Sequence, residues 1–123
     1  MALDDLDRVV RIGLLFDHYG SLLTDRQREA IELHYLQDWS LQEIAETWAT
    51  SRQAVHDLLN RASHQLEEYE RRLGLERRER AERETLKACA GKIDQVRRAI
   101  GSNDAKARIM LDEAAAMLAN MIG

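Results

Sequence analysis

Four polar residues in one short stretch have side-chain types that contact nucleic-acid bases. They are Arg52, Gln53, His56 and Asn60. Arginine suits the edge of guanine, and glutamine suits the edge of adenine. In a helix these side chains would point away from an apolar seam, on the face that a recognition helix presents to a major groove. Asp57 lies in the centre of that face and repels phosphate. A solvated face and a docking face for another protein therefore stay open as alternatives.

A second stretch, residues 71–98, holds ten basic and five acidic residues and has a net charge of +5. The basic residues on or near one side of a helix through it are Arg77, Arg80, Arg83, Lys87 and Arg98. RNA phosphates could contact this side, because arginine binds phosphate through a planar fork and stacks on bases. Glutamates also stand four residues before Arg80 and Arg83, an arrangement that stabilises a solvated helix without any ligand. A phosphate-binding side and a solvated helix without a ligand therefore both stay open as interpretations.

The chain lacks the spacing typical of catalysis or of a resident metal ion. Its histidines are His18, His34, His56 and His64, and no two of them are four residues apart. His34 stands among apolar neighbours and is predicted to pack between helices, and the lone Cys89 is predicted to be a core residue. No glycine-rich phosphate loop or nucleophile elbow occurs. The sequence predicts a protein that is not an enzyme and that has no cofactor or metal ion.

The composition of the 123 residues is typical of an all-α protein. With no proline, 6 glycines and 5% aromatic residues, the chain has little from which to build the corners of a sandwich or barrel. One cysteine permits no internal disulfide, and the acidic N-terminal segment has no long apolar run. We therefore expect a cytoplasmic protein without membrane association. Because the net charge is −4, and −5 within residues 1–64, nucleic-acid binding must depend on local charge.

Hydrophobic spacing and capping signals predict four helices in the front part of the chain. They cover about residues 3–19, 24–36, 41–48 and 51–73, with Gly20 and Gly74 as C-terminal caps. The predicted apolar stripe of the first helix is Leu6, Val9, Val10, Gly13 and Phe16. Thr24 with Gln27, and Ser40 with Glu43, have capping-box spacing. The predicted seam of the fourth helix is Val55, Leu58, Ala62, Leu66, Tyr69 and Leu73.

The tight turn between the third and fourth helices predicts a helix-turn-helix. Ala45 is small enough for the closest approach of the two helices, and Ala49 stands where such turns usually carry a left-handed glycine or asparagine. The residues predicted to lock the pair in the core are Ile44, Trp48, Val55 and Leu58. The alternative is an ordinary helical hairpin within a bundle.

These residues resemble a known family. The run LLTDRQREAIELHYLQDWSLQEIAETWATSRQAVHDLLNRA resembles region four of the sigma-70 factors, and LFDHYGSLLT, SRQAV and LEEYERRL are similar to the YlxM family. The resemblance covers about residues 6–75. It implies a sigma-region-four-like helix-turn-helix domain over residues 1–75, which includes an N-terminal helix. It also implies an association with the signal recognition particle, through the RNA or the protein of that particle.

Residues 76–123 form a C-terminal helical extension that the resemblance does not reach. A charged stretch precedes two apolar stripes, which predict a helical hairpin with a turn at 101–103. The stripes are Leu86, Cys89, Ile93, Val96 and Ile100, then Met110, Ala114, Met117, Leu118 and Met121. The extension belongs to the same compact unit or forms a dimerisation arm, and we expect a homodimer.

The function predicted from these patterns is that of a non-enzymatic accessory factor that binds nucleic acid or protein in the signal recognition particle pathway. One alternative is a DNA-binding transcriptional regulator of the helix-turn-helix class that binds a duplex. The other is an adaptor that contacts only protein. Salt dependence separates them, because binding driven by phosphate contacts weakens steeply with salt and apolar docking does not.

Overall fold

The computed structural model describes residues 2–100 and 104–122, with their side chains from residue 5 onward. This part of the chain contains six α-helices and no strand. The helices are α1 (Ala2–Tyr19), α2 (Asp25–Ile31), α3 (Leu41–Thr47), α4 (Arg52–Leu73), α5 (Leu75–Ile100) and α6 (Ala105–Ile122). The all-α prediction is confirmed. The turn predicted at 101–103 lies outside the described residues.

The chain divides into two compact units, residues 1–76 and residues 77–123. From the sequence, the first unit has a net charge of −7 and the second a net charge of +3. The first unit contains α1 to α4 and the first two residues of α5. The second contains the rest of α5 together with α6.

Both predicted capping boxes are present at the starts of α2 and α3. The backbone N–H of Gln27 donates to Thr24 Oγ1 over 3.2 Å, and Gln27 Oε1 accepts from the Thr24 N–H over 3.1 Å. The corresponding distances between Ser40 and Glu43 are 3.1 and 3.3 Å. Each box satisfies two backbone donors that a helix start leaves without partners. These two helix starts are therefore fixed by residues only three positions apart.

The core of the first unit is built by α1 to α4. Its buried members are Ile12, Leu15, Tyr19, Leu23, Ala30, Ile31, Ile44, Ala45, Val55, Leu59, Ala62 and Leu66. The stripe predicted for α1 is therefore wrong in part, because Leu6, Val9 and Val10 are exposed. The apolar residues of α1 occupy more than one side of the helix, so their spacing alone does not select the buried face. Gly20 begins a 3-10 turn rather than capping α1, and Phe16 packs close to it.

Helices α3 and α4 form the predicted helix-turn-helix. Ala49 has a φ of 54°, the left-handed conformation expected for this turn. The Thr50 N–H donates to the carbonyl oxygen of Ala45 over 2.9 Å and closes the end of α3. Ile44 and Val55 are buried on the two sides of the turn, as predicted. A left-handed alanine is less favourable in conformational free energy than a left-handed glycine, so Ala49 destabilises this turn relative to glycine.

Two of the predicted locking residues are not in the core. Trp48 and Leu58 are only half-buried, and Leu59 takes the buried position on α4. Leu73, at the end of the predicted seam, is exposed. Residues 58 and 59 are neighbours on a helix with 3.6 residues per turn, so a seam drawn from spacing can follow either one. The packing of α1 and α2 against α4 selects Leu59.

A buried polar network joins the end of α1 to the junction of α4 and α5. Tyr19 Oη donates to Glu70 Oε1 over 2.7 Å, and the backbone N–H of Glu76 donates to the same oxygen over 3.1 Å. The Leu75 N–H donates to Tyr19 Oη over 2.9 Å. Burial and the bond to Glu70 raise the pKa of Tyr19. Gly74, with a φ of 63°, ends α4 as predicted, and Glu70 then supplies the acceptor for the first turn of α5.

The second unit is a helical hairpin without a buried core. Helix α5 runs without a break through the charged stretch that the sequence had suggested as a separate segment. Arg97 Nη1 donates to Asp112 Oδ1 over 2.9 Å and links α5 to α6. None of the described residues from 77 to 122 is buried. The prediction that Cys89 is a core residue is wrong, because this side chain is exposed.

Candidate nucleic-acid interface

The first turn of α4 presents two of the four residues that are predicted to contact nucleic-acid bases. Ser51 Oγ accepts from the Ala54 N–H over 3.0 Å and caps the helix. Arg52 and Gln53 follow at once and are exposed. Arg52 makes no hydrogen bond or ion pair with any described residue, so its guanidinium is available to a ligand. The cap therefore fixes the backbone from which these side chains project.

Asp57 occupies the middle of the exposed face of α4 and engages its neighbours. Gln53 Nε2 donates to Asp57 Oδ1 over 2.9 Å, and His56 Nδ1 lies 3.7 Å from the same oxygen. Gln53 must break this bond before both amide atoms can read an adenine edge. Some polar groups on this face therefore already bond to one another within α4, and the face carries a negative charge at its centre.

Two predicted reading residues line a cleft that α4 shares with α1. His56 and Asn60 stand on its α4 side, and Asp5 and Arg8 stand on its α1 side, around a volume of about 350 Å³. Asn60 is half-buried there. Sequence reasoning missed Arg8, because α1 lies about 50 residues away in the chain and only the packing of the helices brings it beside α4. Arg8 makes no hydrogen bond or ion pair with a described residue.

The second predicted set lies on α5, in the other unit. Arg80, Arg83, Lys87 and Arg98 fall within about 60° of one another around the helix axis at 3.6 residues per turn, and Arg77 follows within a further 60°. All five are exposed or half-exposed. The spacing therefore does place them on one basic face of α5.

Ion pairs neutralise some of the positive charge of residues 71–98. Glu68 Oε1 lies 2.6 Å from Arg71 Nη2 and 2.9 Å from Arg72 Nε, and these bonds lower the pKa of Glu68 to about 2. The predicted pair of Glu79 with Arg83 is present at 3.0 Å. Lys87 and Arg98 are exposed and form no ion pair with a described residue. The basic face of α5 thus contains both paired and available cations.

In the part of the chain that the structure describes, no group of three or more histidine, cysteine, aspartate or glutamate side chains could hold a metal ion. His34 Nδ1 donates to the carbonyl oxygen of Trp39 over 2.7 Å, which fixes the loop before α3. His34 is therefore a structural residue of this loop. No helix among the described residues is long and apolar enough to cross a membrane.

A capped α3, a left-handed turn residue and an α4 with an exposed polar face define the class of helix-turn-helix proteins. Residues 6–105 match the family model of UPF0122, described as helix-turn-helix proteins like YlxM and p13. The chain belongs to the UPF0122 family, and its resemblance to YlxM proteins is confirmed.

The individual relatives support this assignment. The UPF0122 protein STH1464 of Symbiobacterium thermophilum is 59% identical over 66 residues, which cover 54% of this chain and 62% of that protein. The UPF0122 protein SERP0802 of Staphylococcus epidermidis is 43% identical over 95 residues, which cover 77% of this chain and 86% of that protein. The UPF0122 protein SA1079 of Staphylococcus aureus is 49% identical over 75 residues, covering 61% and 68% of the two chains.

Proposed function

We propose that this protein is a non-enzymatic accessory factor that binds nucleic acid and acts with the signal recognition particle in the cytoplasm. The observation that carries the proposal is the basic face of α5, with Arg77, Arg80, Arg83, Lys87 and Arg98. Affinity for nucleic acid comes largely from phosphate contacts, and this face belongs to the unit with a net charge of +3. The choice of the particle rests on the family resemblance.

A second candidate function is duplex binding by the helix-turn-helix, as in a transcriptional regulator with the sigma-region-four-like arrangement. Arg52 favours it, because this side chain is exposed, pairs with no described residue, and is of the type that reads guanine in the major groove. The net charge of −7 on residues 1–76 and the central Asp57 oppose it. We therefore place the main phosphate contacts on α5 and give Arg52, Gln53, His56 and Asn60 a secondary role.

Substitution of Arg80, Arg83 and Lys87 together by glutamine tests the proposal. We expect weaker binding to particle RNA and a salt slope that falls by about 0.7 to 0.9 for each phosphate that the protein no longer neutralises. The matched control replaces Gln53 and Asn60 by alanine, which should change RNA affinity little. Binding is measured by fluorescence anisotropy across a salt series, with random duplex DNA and the particle protein in parallel.

The outcomes separate the three functions. A regulator that reads a duplex should lose about 1 to 3 kcal/mol of discrimination at a defined base on substitution of Arg52, while the α5 variant weakens all sequences alike. If neither set changes nucleic-acid binding but the particle protein is retained, the protein is an adaptor that contacts only protein.

We also propose that the hairpin of α5 and α6 forms a homodimer. Its exposed apolar residues include Val96, Ile109, Met110, Met117 and Met121. Residues 114–122 contain no charged side chain, and charge depletion with methionine enrichment is typical of interface cores. Two helices without a buried side chain gain little from packing, whereas two hairpins can form a four-helix bundle with a core.

The full-length chain is expected to be a dimer of the 14.2 kDa protomer in light scattering. Replacing Met117 and Met121 by glutamate should give a monomer, because two charges would be buried without partners. The control Ala119→Glu adds a charge on the other flank of α6 and should leave the dimer intact. A wild-type monomer at high concentration would contradict this proposal.

A further inference from the structure

A separate cleft opens on the flank of α4 that faces away from α1. It lies between α2, the turn of the helix-turn-helix and α4, and has a volume of about 200 Å³. Residues that line it include Arg26, Trp48, Ala54, Val55, Leu58 and Arg61. None of them belongs to the two sets of residues assigned to nucleic acid above.

Apolar side chains form the base of the cleft. Val55 is only 1% exposed and belongs to the core beneath it. Trp48 and Leu58 pack against that core but are only half-buried, so part of each side chain remains uncovered at the cleft. They are two of the four residues that the sequence predicts to lock α3 against α4. Their incomplete burial leaves an apolar anchor site on the surface of the first unit.

Two arginines stand at this apolar site. The Arg26 guanidinium carbon lies 4.0 Å from the centroid of the Trp48 ring, a cation–π contact, and its Nη1 is 3.7 Å from Glu29 Oε2. Arg61 is exposed and forms no hydrogen bond or ion pair with a described residue. Asp57, one turn before Arg61, is instead bonded to Gln53. The cleft therefore concentrates positive charge in a unit whose net charge is −7.

The arrangement favours a carboxylate-bearing peptide over a nucleobase. Arg26 covers one face of the Trp48 ring, so that face is not available for base stacking. The planar fork of arginine matches a carboxylate in geometry and charge. Tryptophan and arginine are also the residue types that most often dominate the binding energy of protein interfaces.

We propose that this cleft docks a short acidic segment of a partner protein. A carboxylate of the segment pairs with Arg61 and with Arg26, and an adjacent apolar side chain packs on Trp48 and Leu58. This surface adds a protein contact to the nucleic-acid contacts proposed for α5. The charge complementarity and the uncovered apolar anchor identify the chemistry of the occupant.

Selection from a library of random 12-residue peptides displayed on phage tests this proposal. The bait is the full-length protein, and the counter-selection uses the Arg26→Gln/Arg61→Gln variant. We expect the recovered peptides to carry aspartate or glutamate next to a leucine or aromatic residue. Synthetic copies should bind the double variant, and Arg61→Gln alone, about tenfold more weakly than wild type, as expected when a charge-assisted hydrogen bond is removed.

Two controls locate the binding site. Arg8→Gln and Arg52→Gln, on the other side of α4 and on its first turn, should bind the peptides as tightly as wild type. In a Trp39→Phe background Trp48 is the single tryptophan, so its fluorescence should shift when a peptide binds. Arg61 forms no hydrogen bond or ion pair with a described residue, and the Arg61→Gln variant should therefore keep the wild-type thermal midpoint.

Three results would overturn the proposal. The first is a selection that recovers no binders or binders without an acidic excess, and the second is equal affinity for wild type and both variants. The third is a 12-nucleotide strand that shifts Trp48 fluorescence and binds the Arg61→Gln variant more weakly, which would make the cleft a phosphate site. RNA binding through α5 should be unchanged in the Arg61→Gln and Arg26→Gln/Arg61→Gln variants, so failure here is distinguishable from failure of the proposed function.

Discussion

Substitution of Glu70 by alanine is expected to lower the free energy of unfolding by about 3 kcal/mol. The buried carboxylate accepts from Tyr19 Oη and from the backbone N–H of Glu76, and both donors would lose their acceptor. Each buried donor left without a partner costs about 1 to 3 kcal/mol. The measurement is urea unfolding of the full-length chain followed by circular dichroism.

The matched control for this prediction is Glu67→Ala, three residues earlier on α4. Glu67 forms a bidentate ion pair with Arg11, with distances of 3.0 and 2.9 Å. Both side chains are exposed, so the loss of stability should be no more than about 1 kcal/mol. Glu70→Gln keeps one acceptor oxygen and should fall between the two. Equal midpoints for Glu70→Ala and Glu67→Ala would show that the network does not hold the junction of α4 and α5.

Truncation of Ile44 to alanine is expected to cost about 2 to 5 kcal/mol, the range for removing a fully buried aliphatic side chain from a core. Ile44 has no exposed surface and lies at the crossing of α3 and α4. Leu58→Ala removes a side chain of the same size from a half-buried position on the partner helix. It should cost less than half as much, because part of its surface is already in water.

The ratio of these two stability losses tests which residues lock the helix-turn-helix. The sequence pattern assigned equal roles to Ile44 and Leu58, whereas the structure gives the buried position on α4 to Leu59. Chemical denaturation of both variants under the same conditions supplies the comparison. A loss for Leu58→Ala as large as that for Ile44→Ala would restore the equal roles that the spacing predicts.

Local features of this protein could be read from the sequence. The capping boxes of Thr24 and Ser40 involve residues three positions apart, and the left-handed conformations of Ala49 and Gly74 follow from where the two helices must end. Hydrogen bonds and backbone preferences of this kind depend on near neighbours, so they act the same way before and after the chain packs. The helix-turn-helix depends on such features and was predicted correctly, as were the all-α class from composition and the family from its resemblance.

The basic face of α5 was also accessible from the sequence. Helical spacing alone determines which side chains share a side, and Arg80, Arg83 and Lys87 follow that spacing. The same spacing could not show that Cys89 is exposed. An apolar stripe shows which residues share one side of a helix. Whether that side is buried depends on a packing partner from elsewhere in the chain or from another chain.

By itself, the sequence determined the capped helix starts at Thr24 and Ser40, the end of α4 at Gly74, and the charges that each helix carries. The tertiary structure decided which face of α1 is buried, that Leu59 rather than Leu58 enters the core, and that Tyr19 meets Glu70. It also decided that Arg26 and Arg61 share a cleft with Trp48. The reason is distance along the chain: Tyr19 and Glu70 are 51 residues apart, and no local preference encodes a contact that forms only when several helices pack at once.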